Sequence, residues 1–599
     1  MATNSSSLSL SDKIAFYKKE IANIADTSFN KQQKKLCLDI LDKATEENID
    51  KIYQFITQRV KTGFVFDIAP EVQHNCIALI EKDKKLSFES NALGEKLTHK
   101  LIIGENYDAL KNLLAVYENK VDFIYIDPPY NTESTRTDGN SLTDIEGQNT
   151  GKFIYRDKFS RTGWLNMMNE RLQLARKLLS DKGVIFISID DNEQAYLKVL
   201  CDDVFGEENF VENFIWNKNA TKNNSKTTST NHEYILCYSR NKEVIEKIRL
   251  FRKKKEGLDE VKALLQKAEN ENWNKEQTEQ ELKTLYKNHQ NWKGITNYNN
   301  IDIIVDATTG RRNYLMYTLS DSSAPLSTGE GAKYEILHPI TGLPCKTPTR
   351  GWAFTRETMN ELIANNEIEF YEDHNHVPRV KRYLDKVEDE VIKSLISDFT
   401  DGKKELARIF DKCPFDNPKP TTLLKYFLQI TDKNAIILDF FAGSGTTGQA
   451  VMELNEEDGG KRQFILCTNN ENGIAENITY ERLYRVINGE GTKGEQIKWQ
   501  YSKDKKSLTN NNLDVFRIGY HQLEIEDYEK GEQLIEQAKE VFKQLDNNFE
   551  LKSEFDIYNK LASLKPYSEA DRDECEKGFS YQNKQAEEVE DKENEEEQD

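Results

Sequence analysis

Cysteine is scarce in this 599-residue chain: eight, scattered from Cys37 to Cys575, with no C-x-x-C pair. That excludes a disulfide framework and a structural zinc site, and predicts reduced core thiols. No apolar run approaches the ~18 residues needed to cross a bilayer. The opening MATNSSSLSLSDK lacks the basic, apolar and small-residue order of a secretory leader. A cytoplasmic protein without membrane contact is expected. No G-x-x-x-x-G-K-[ST] occurs, since Gly151-Lys152 is followed by Phe153; this excludes a Walker-type ATPase site. No internal repeat is found. Net positive charge is missing too, at −21 overall, yet from His521 onward stand 25 acidic against 10 basic residues. The acidity is therefore largely a property of the tail, and a local basic cleft can dominate elsewhere. Residues 585–599 read as disordered.

What is present is a change of texture along the chain. Residues 10–60 carry helix-type spacing (Ile14, Tyr17, Ile21, Ile24, then Leu36 to Leu41), so 1–95 is expected to be an N-terminal helical region. From 96 to 240, short apolar strands alternate with helices: Leu101–Gly104, a helix over Asp108–Leu114, Val121–Ile126, a helix over 163–180, Gly183–Ile189 and Tyr234–Tyr238. Residues 241–410 are foreign to that rhythm, with a charged, heptad-like stretch over 243–290 that predicts a helical hairpin. The α/β texture returns over 411–500 with the strands Ala435–Asp439 and Gln463–Cys467, and 501–599 reads as helical, then acidic. The expected fold is a doubly wound α/β sheet written in two pieces around an insertion.

Two segments carry chemistry. Asp127-Pro128-Pro129-Tyr130 ends the strand Val121–Ile126, where open α/β sheets bind ligands. An ionised Asp127 and the Pro128 carbonyl are acceptors for the two hydrogens of an exocyclic amine such as that of adenine. The arrangement favours a tetrahedral nitrogen with its lone pair free to attack a methyl group. Pro128 and Pro129 stiffen the corner, and Tyr130 offers a stacking face to a base pulled from a duplex. The second segment, Asp439-Phe440-Phe441-Ala442-Gly443-Ser444-Gly445-Thr446-Thr447-Gly448, links a strand to a helix. Its glycines permit close approach of backbone to a ligand. Gly443, Gly445 and Gly448 also satisfy G-x-G-x-x-G, but the acidic residue expected about 20 positions on is not clearly present in Thr468-Asn469-Asn470-Glu471.

D-P-P-Y preceding F-x-G-x-G-T-T resembles the β class of amino-group DNA methyltransferases. More narrowly, the chain is similar to the modification subunit of type III restriction–modification systems, in GENYDALKNLL, FIYIDPPYNTES, NHEYILCYSRN, FDNPKPTTLLKY, DFFAGSGTTGQAV and FILCTNNEN among other stretches. The resemblance implies a permuted, Rossmann-like methyltransferase sheet with an inserted target-recognition domain (241–410) and S-adenosylmethionine as cofactor. It implies adenine N6 in sequence-specific duplex DNA as substrate, a homodimer, and a separate restriction subunit with ATPase and nuclease activity. Carried over by motif, Asp127, Pro128, Pro129 and Tyr130 would hold the adenine. Asp439, Phe441, Gly443, Gly445, Thr446 and Thr447 would line the cofactor pocket, with Phe415, Lys419 and Pro420 at its methionine end. Glu105 stands where the family usually has Asp, and the ribose-binding acid is replaced or displaced, leaving Asn469 or Glu471. Alternatives are a cytosine-N4 methyltransferase, a stand-alone adenine methyltransferase, an NAD-dependent oxidoreductase suggested by the glycine pattern, and a non-catalytic specificity subunit.

Other features have bland readings. His374-Asn375-His376 spells H-N-H, but no metal is expected there. His232-Glu233-Tyr234 leads into a strand and reads as structural or as a base-pocket wall. Lys253-Lys254-Lys255 reads as a solvated helix face that could touch phosphates, and Lys218–Lys226 is the better phosphate-binding stretch.

Overall fold

The computed structural model describes residues 10–23, 31–45, 76–90, 96–130, 161–218, 228–289, 292–326, 329–397, 401–522 and 528–547, with a few isolated positions beside them. The acidic tail and residues 219–227 of the basic stretch lie outside these.

Ten strands of the described residues form one sheet: β1 Cys76–Lys82, β2 Leu97–Ile103, β3 Val121–Ile126, β4 Leu179–Ile189, β5 Phe210–Asn217, β6 His232–Ser239, β7 Leu395–Ile396, β8 Ile436–Asp439, β9 Gln463–Thr468 and β10 Asn511–Gln522. Their spatial order is β1-β10-β2-β9-β8-β3-β4-β6-β5-β7. The six central strands from β10 to β4 run parallel; β6 runs antiparallel to β4 and β5.

The near-continuous apolar character of these strands has a direct cause, since parallel strands covered by helices are buried on both faces. In β3, Phe123 and Tyr125 point into one core, while Ile124 and Ile126 point into the other. Helices Asn106–Tyr117, Arg161–Leu178 and Gln194–Phe205 supply Leu110, Trp164 and Leu200 to the second core. Helices Gly402–Phe410, Thr421–Leu428, Thr446–Asp458 and Glu481–Asn488 supply Ile409, Phe427, Met452 and Leu483 to the first. This is the doubly wound α/β fold that the strand–helix alternation predicts.

The connectivity is permuted. β3 precedes β8 by over 300 residues, yet the two are neighbours, with Phe123 opposite Ile437 and Ile124 opposite Leu438. From β8 the chain crosses over by helix Thr446–Asp458 to β9 on one side, and from β3 by helix Arg161–Leu178 to β4 on the other. The β3/β8 boundary is thus a topological switch point, where a crevice opens beyond the carboxyl ends of the strands.

Between β6 and β7 the chain leaves the sheet. It forms the helices Leu258–Asn270 and Lys275–Asn288 and a four-stranded sheet ordered Ile368–Glu369, Arg379–Tyr383, Arg312–Ser320, Asn300–Val305. Leu258, Val261, Leu282, Trp292, Ile301 and Met316 give this block a core of its own. Residues Lys253 and Lys255, expected on a solvated helix face, are instead buried. Arg252–Lys254 pairs with Asp389–Val391 as a two-stranded ribbon, and Lys253 lies 3.0 Å from Glu256 and 3.6 Å from Glu390.

β1 and β10 lie in regions where helical spacing was the expectation. In β10 the apolar residues Leu513, Val515, Phe516 and Ile518 serve both faces of the sheet, and intervening Asp514 and Arg517 hide the alternation. Helices Leu10–Asn23, Lys31–Asp42 and Tyr528–Leu545 flank the strands in sequence. No helix of the described residues is long and apolar enough to cross a membrane.

Candidate active site

Asp127 follows the last residue of β3, and Asp439 is the last residue of β8. Because the strands are parallel neighbours, both carboxylates emerge at one edge, and they line a single cleft with Phe415, Lys419, Phe441, Gly443, Thr446 and Thr447. The corner after β3 is held from behind: Trp164, fully buried, donates from Nε1 to the Pro129 carbonyl at 2.7 Å. Pro128 and Pro129 are buried, so the two prolines and this bond together fix the loop.

The glycine loop is built by its own strand end. Asp439 Oδ1 accepts the Phe441 N–H at 3.0 Å, and Oδ2 accepts the Thr447 hydroxyl at 2.5 Å. Burial pushes the Asp439 carboxyl up to about 7, against the pull of those two donors, with Asp127 adding repulsion. Gly443 and Gly445 hold φ of 50° and 76°, a region costly for other L-residues. Gly445 caps helix Thr446–Asp458. Beneath the loop, buried Arg482 donates to Thr446 Oγ1 at 2.8 Å and to Ser444 Oγ at 3.1 Å. Its Nη2 lies 3.8 Å from Glu405, which in turn accepts the Thr421 N–H and hydroxyl at 3.1 and 2.6 Å. Arg482 and Glu405 thereby tie the glycine loop to the segment carrying Lys419 and Pro420; nothing in the local sequence of either residue signals this.

Lys419, expected at the methionine end of a cofactor, reaches across to the β3 corner. Its Nζ donates to Asp127 Oδ1 and Oδ2 at 2.7 and 2.6 Å and to the Tyr130 hydroxyl at 2.9 Å. Tyr130 donates to Asp127 Oδ1 at 2.8 Å. A second carboxylate, Glu233, sits 3.2 Å from the Tyr130 hydroxyl and 3.5 Å from Lys419, and pairs outward with Lys218. Burial opposes charge on Lys419, but Asp127 and Glu233 outweigh it and raise its proton affinity. Burial likewise opposes charge on Glu233, and Lys419 and Lys218 more than offset it, leaving the carboxyl below its ordinary value. Glu233 reaches the site because β6 is antiparallel: its first residues lie beside the ends of β4. The only sequence signal was an acid at the start of a strand.

The remaining candidates are spread over neighbouring strand ends. Phe415 approaches Gly443, where a β-carbon would stand 3.5 Å from its ring. Pro420 begins helix Thr421–Leu428. Glu105, beyond β2, forms an ion pair with Arg171. Asn469, beyond β9, is half-buried with its Oδ1 shielded from solvent and unpartnered among the described residues. Glu471 lies exposed in the turn Glu471–Gly473 and does not line the cleft. In the insertion, His376 pairs with Asp373 at 2.9 Å, and no group of three or more His, Cys, Asp or Glu among the described residues can hold a metal.

A family model described as DNA methylase matches residues 121–481; one described as an uncharacterised conserved protein matches residues 14–123. The Mod subunit of the type III restriction-modification enzyme EcoP15I of Escherichia coli is 33% identical over 458 residues, 70% of this chain and 68% of that protein. The StyLTI Mod subunit of Salmonella typhimurium is 34% identical over 441 residues, 70% of this chain and 58% of that protein. Among solved structures, the M1.HpyAVI–SAM complex aligns with a TM-score of 0.28 at 13% identity, covering 64% of this chain and 98% of that one.

Proposed function

The chain belongs to the DNA methylase family and is a DNA methyltransferase; on that premise we propose that it takes a methyl group from S-adenosylmethionine and places it on N6 of an adenine flipped out of duplex DNA. The observation carrying this reading is the adjacency of β3 and β8, with Asp127 and the Gly443–Ser444 turn lining one cleft.

The residues fit the cofactor. Gly443 at positive φ lines the cleft and leaves room for a ligand against the backbone, Phe441 and Phe415 supply apolar walls, and Asn469 Oδ1 is a buried acceptor still lacking a donor. Asp439, Phe441, Gly443, Gly445, Thr446, Thr447, Phe415, Pro420, Glu105 and Asn469 would hold it. When bound, it supplies a methyl group activated by a sulfonium. The protein does the rest by position. Asp127 and the Pro128 carbonyl accept the two amine hydrogens, leaving the nitrogen lone pair directed at the methyl. The rigidity of that corner means little reorganisation at reaction. Tyr130 stacks on the extruded base, returning about 1–3 kcal/mol of the unstacking cost.

The block between β6 and β7, which has a hydrophobic core of its own, is the proposed target-recognition domain (residues 241–410). Likeness to Mod subunits supports a modification role within a type III system, with a homodimer and a separate restriction subunit as partners. Transfer of tritium from labelled cofactor to unmethylated DNA tests the reading. Asp127→Ala should lower the rate by about a hundredfold to a thousandfold, and wild-type activity in that variant would end the mechanism. Nucleoside analysis of the product must yield N6-methyladenine; N4-methylcytosine would reassign the target.

A further inference from the structure

We infer that Glu233 is a positioning residue for methyl transfer, drawing the Lys419 ammonium off Asp127 as the target amine arrives. The inference rests on the role given above to Asp127.

In the structure Lys419 donates to both oxygens of Asp127, and Tyr130 donates to one of them. That arrangement suits a resting enzyme, because it compensates a carboxylate in a largely closed site. It does not suit catalysis. Positive charge grows on the amine nitrogen as the methyl bond forms, and an ammonium on the same carboxylate repels it at close range. Lys419 is only 7% exposed and cannot retreat into water. Among the described residues, the other carboxylate within 4 Å of its Nζ is Glu233.

The two oxygens of Glu233 have separate tasks. Oε1 faces outward to Lys218, while Oε2 faces Lys419 at 3.5 Å and the Tyr130 hydroxyl at 3.2 Å. A shift of under about 1 Å brings Nζ into a charge-assisted bond with Oε2. The Tyr130 hydroxyl can turn the same way. The Lys419 ammonium stays paired throughout, and the Asp127 carboxylate exchanges its ion pair for the amine hydrogens of the base.

The test uses the full chain, tritiated S-adenosylmethionine and unmethylated plasmid DNA in single-turnover mode, with calorimetry for cofactor binding. Glu233→Gln strands the ammonium on Asp127, and its rate should fall about tenfold to a thousandfold. Cofactor affinity should stay within about threefold, since the change acts on the amine side. Adding Lys419→Met to Glu233→Gln removes the stranded charge and should recover at least several-fold of the rate. Glu233→Asp should be faster than Glu233→Gln, because it keeps the charge. A Glu233→Gln enzyme at wild-type rate, or a double variant no faster than Glu233→Gln, would overturn the inference. If Asp127→Ala is also fully active, the underlying reading has failed; if Asp127→Ala is inactive, only the role of Glu233 has.

Discussion

Lys419→Met tests the electrostatics of the site without any substrate. Lys419 lies between two carboxylates, at 2.6 Å from Asp127 and 3.5 Å from Glu233, and is 7% exposed. Methionine keeps most of the apolar stem, so little cavity cost is expected. What is lost is the charge, and breaking one side of a buried pair costs roughly 3–5 kcal/mol. In a body of this size that corresponds to about 3–6 °C in melting temperature near neutral pH. The pH dependence carries the sharper prediction. In the wild type Glu233 is held below its ordinary value by Lys419 and Lys218 against burial. Its contribution is present above the unfolded carboxylate value and is lost as pH falls through the folded one. With Lys419 removed, Asp127 and Glu233 face each other with only the partly exposed Lys218 nearby. Burial of Glu233 is then less fully offset, its proton affinity rises, and the variant loses stability as pH rises. The melting gap should be widest at about pH 7–8 and close toward about pH 4.5. Differential scanning calorimetry over that range measures it. A gap that is constant, or that widens on acidification, would refute the charge argument.

Two further substitutions probe the glycine loop. Asp439 has a carboxyl raised to about 7, so the folded wild type loses stability as pH rises from about 4 to 7 and no further above it; Asp439→Asn removes that slope. The melting advantage of the variant over cofactor-free wild type should grow across that window, and parallel curves would show that Asp439 does not titrate there. Gly445→Ala places a β-carbon at φ 76° and 3.2 Å from Thr479 Cγ2, which costs about 1–2 kcal/mol. If the strain is relieved by displacing the loop, cofactor affinity should drop about tenfold in a titration, and unchanged affinity would show that the loop absorbs the change.

Much of this protein is legible in one dimension. The strands at the centre of the sheet are continuous apolar runs because helices cover both their faces, and the corner Asp127–Tyr130 and loop Asp439–Thr447 each follow such a run. Ligand chemistry at strand ends is therefore local in sequence. The split into two α/β pieces around a foreign block is legible for the same reason, as each piece keeps its own periodicity.

Other features depend on which strands become neighbours. β10 is masked by interspersed polar residues, and the apolar run Cys76–Ile80 of β1 is too short to tell strand from helix; the pairing of β1 with β10 and of β10 with β2 makes strands of them. Glu233 enters the site because β6 runs antiparallel. Lys419 meets Asp127 from 292 residues away, and Arg482 and Glu405 brace a loop neither adjoins. Buried charges must find partners wherever the fold supplies them, and that choice is made by packing across long separations. The sequence by itself determined the chemistry at each strand end; the tertiary structure decided which of those ends face one another, and so which charges share a site.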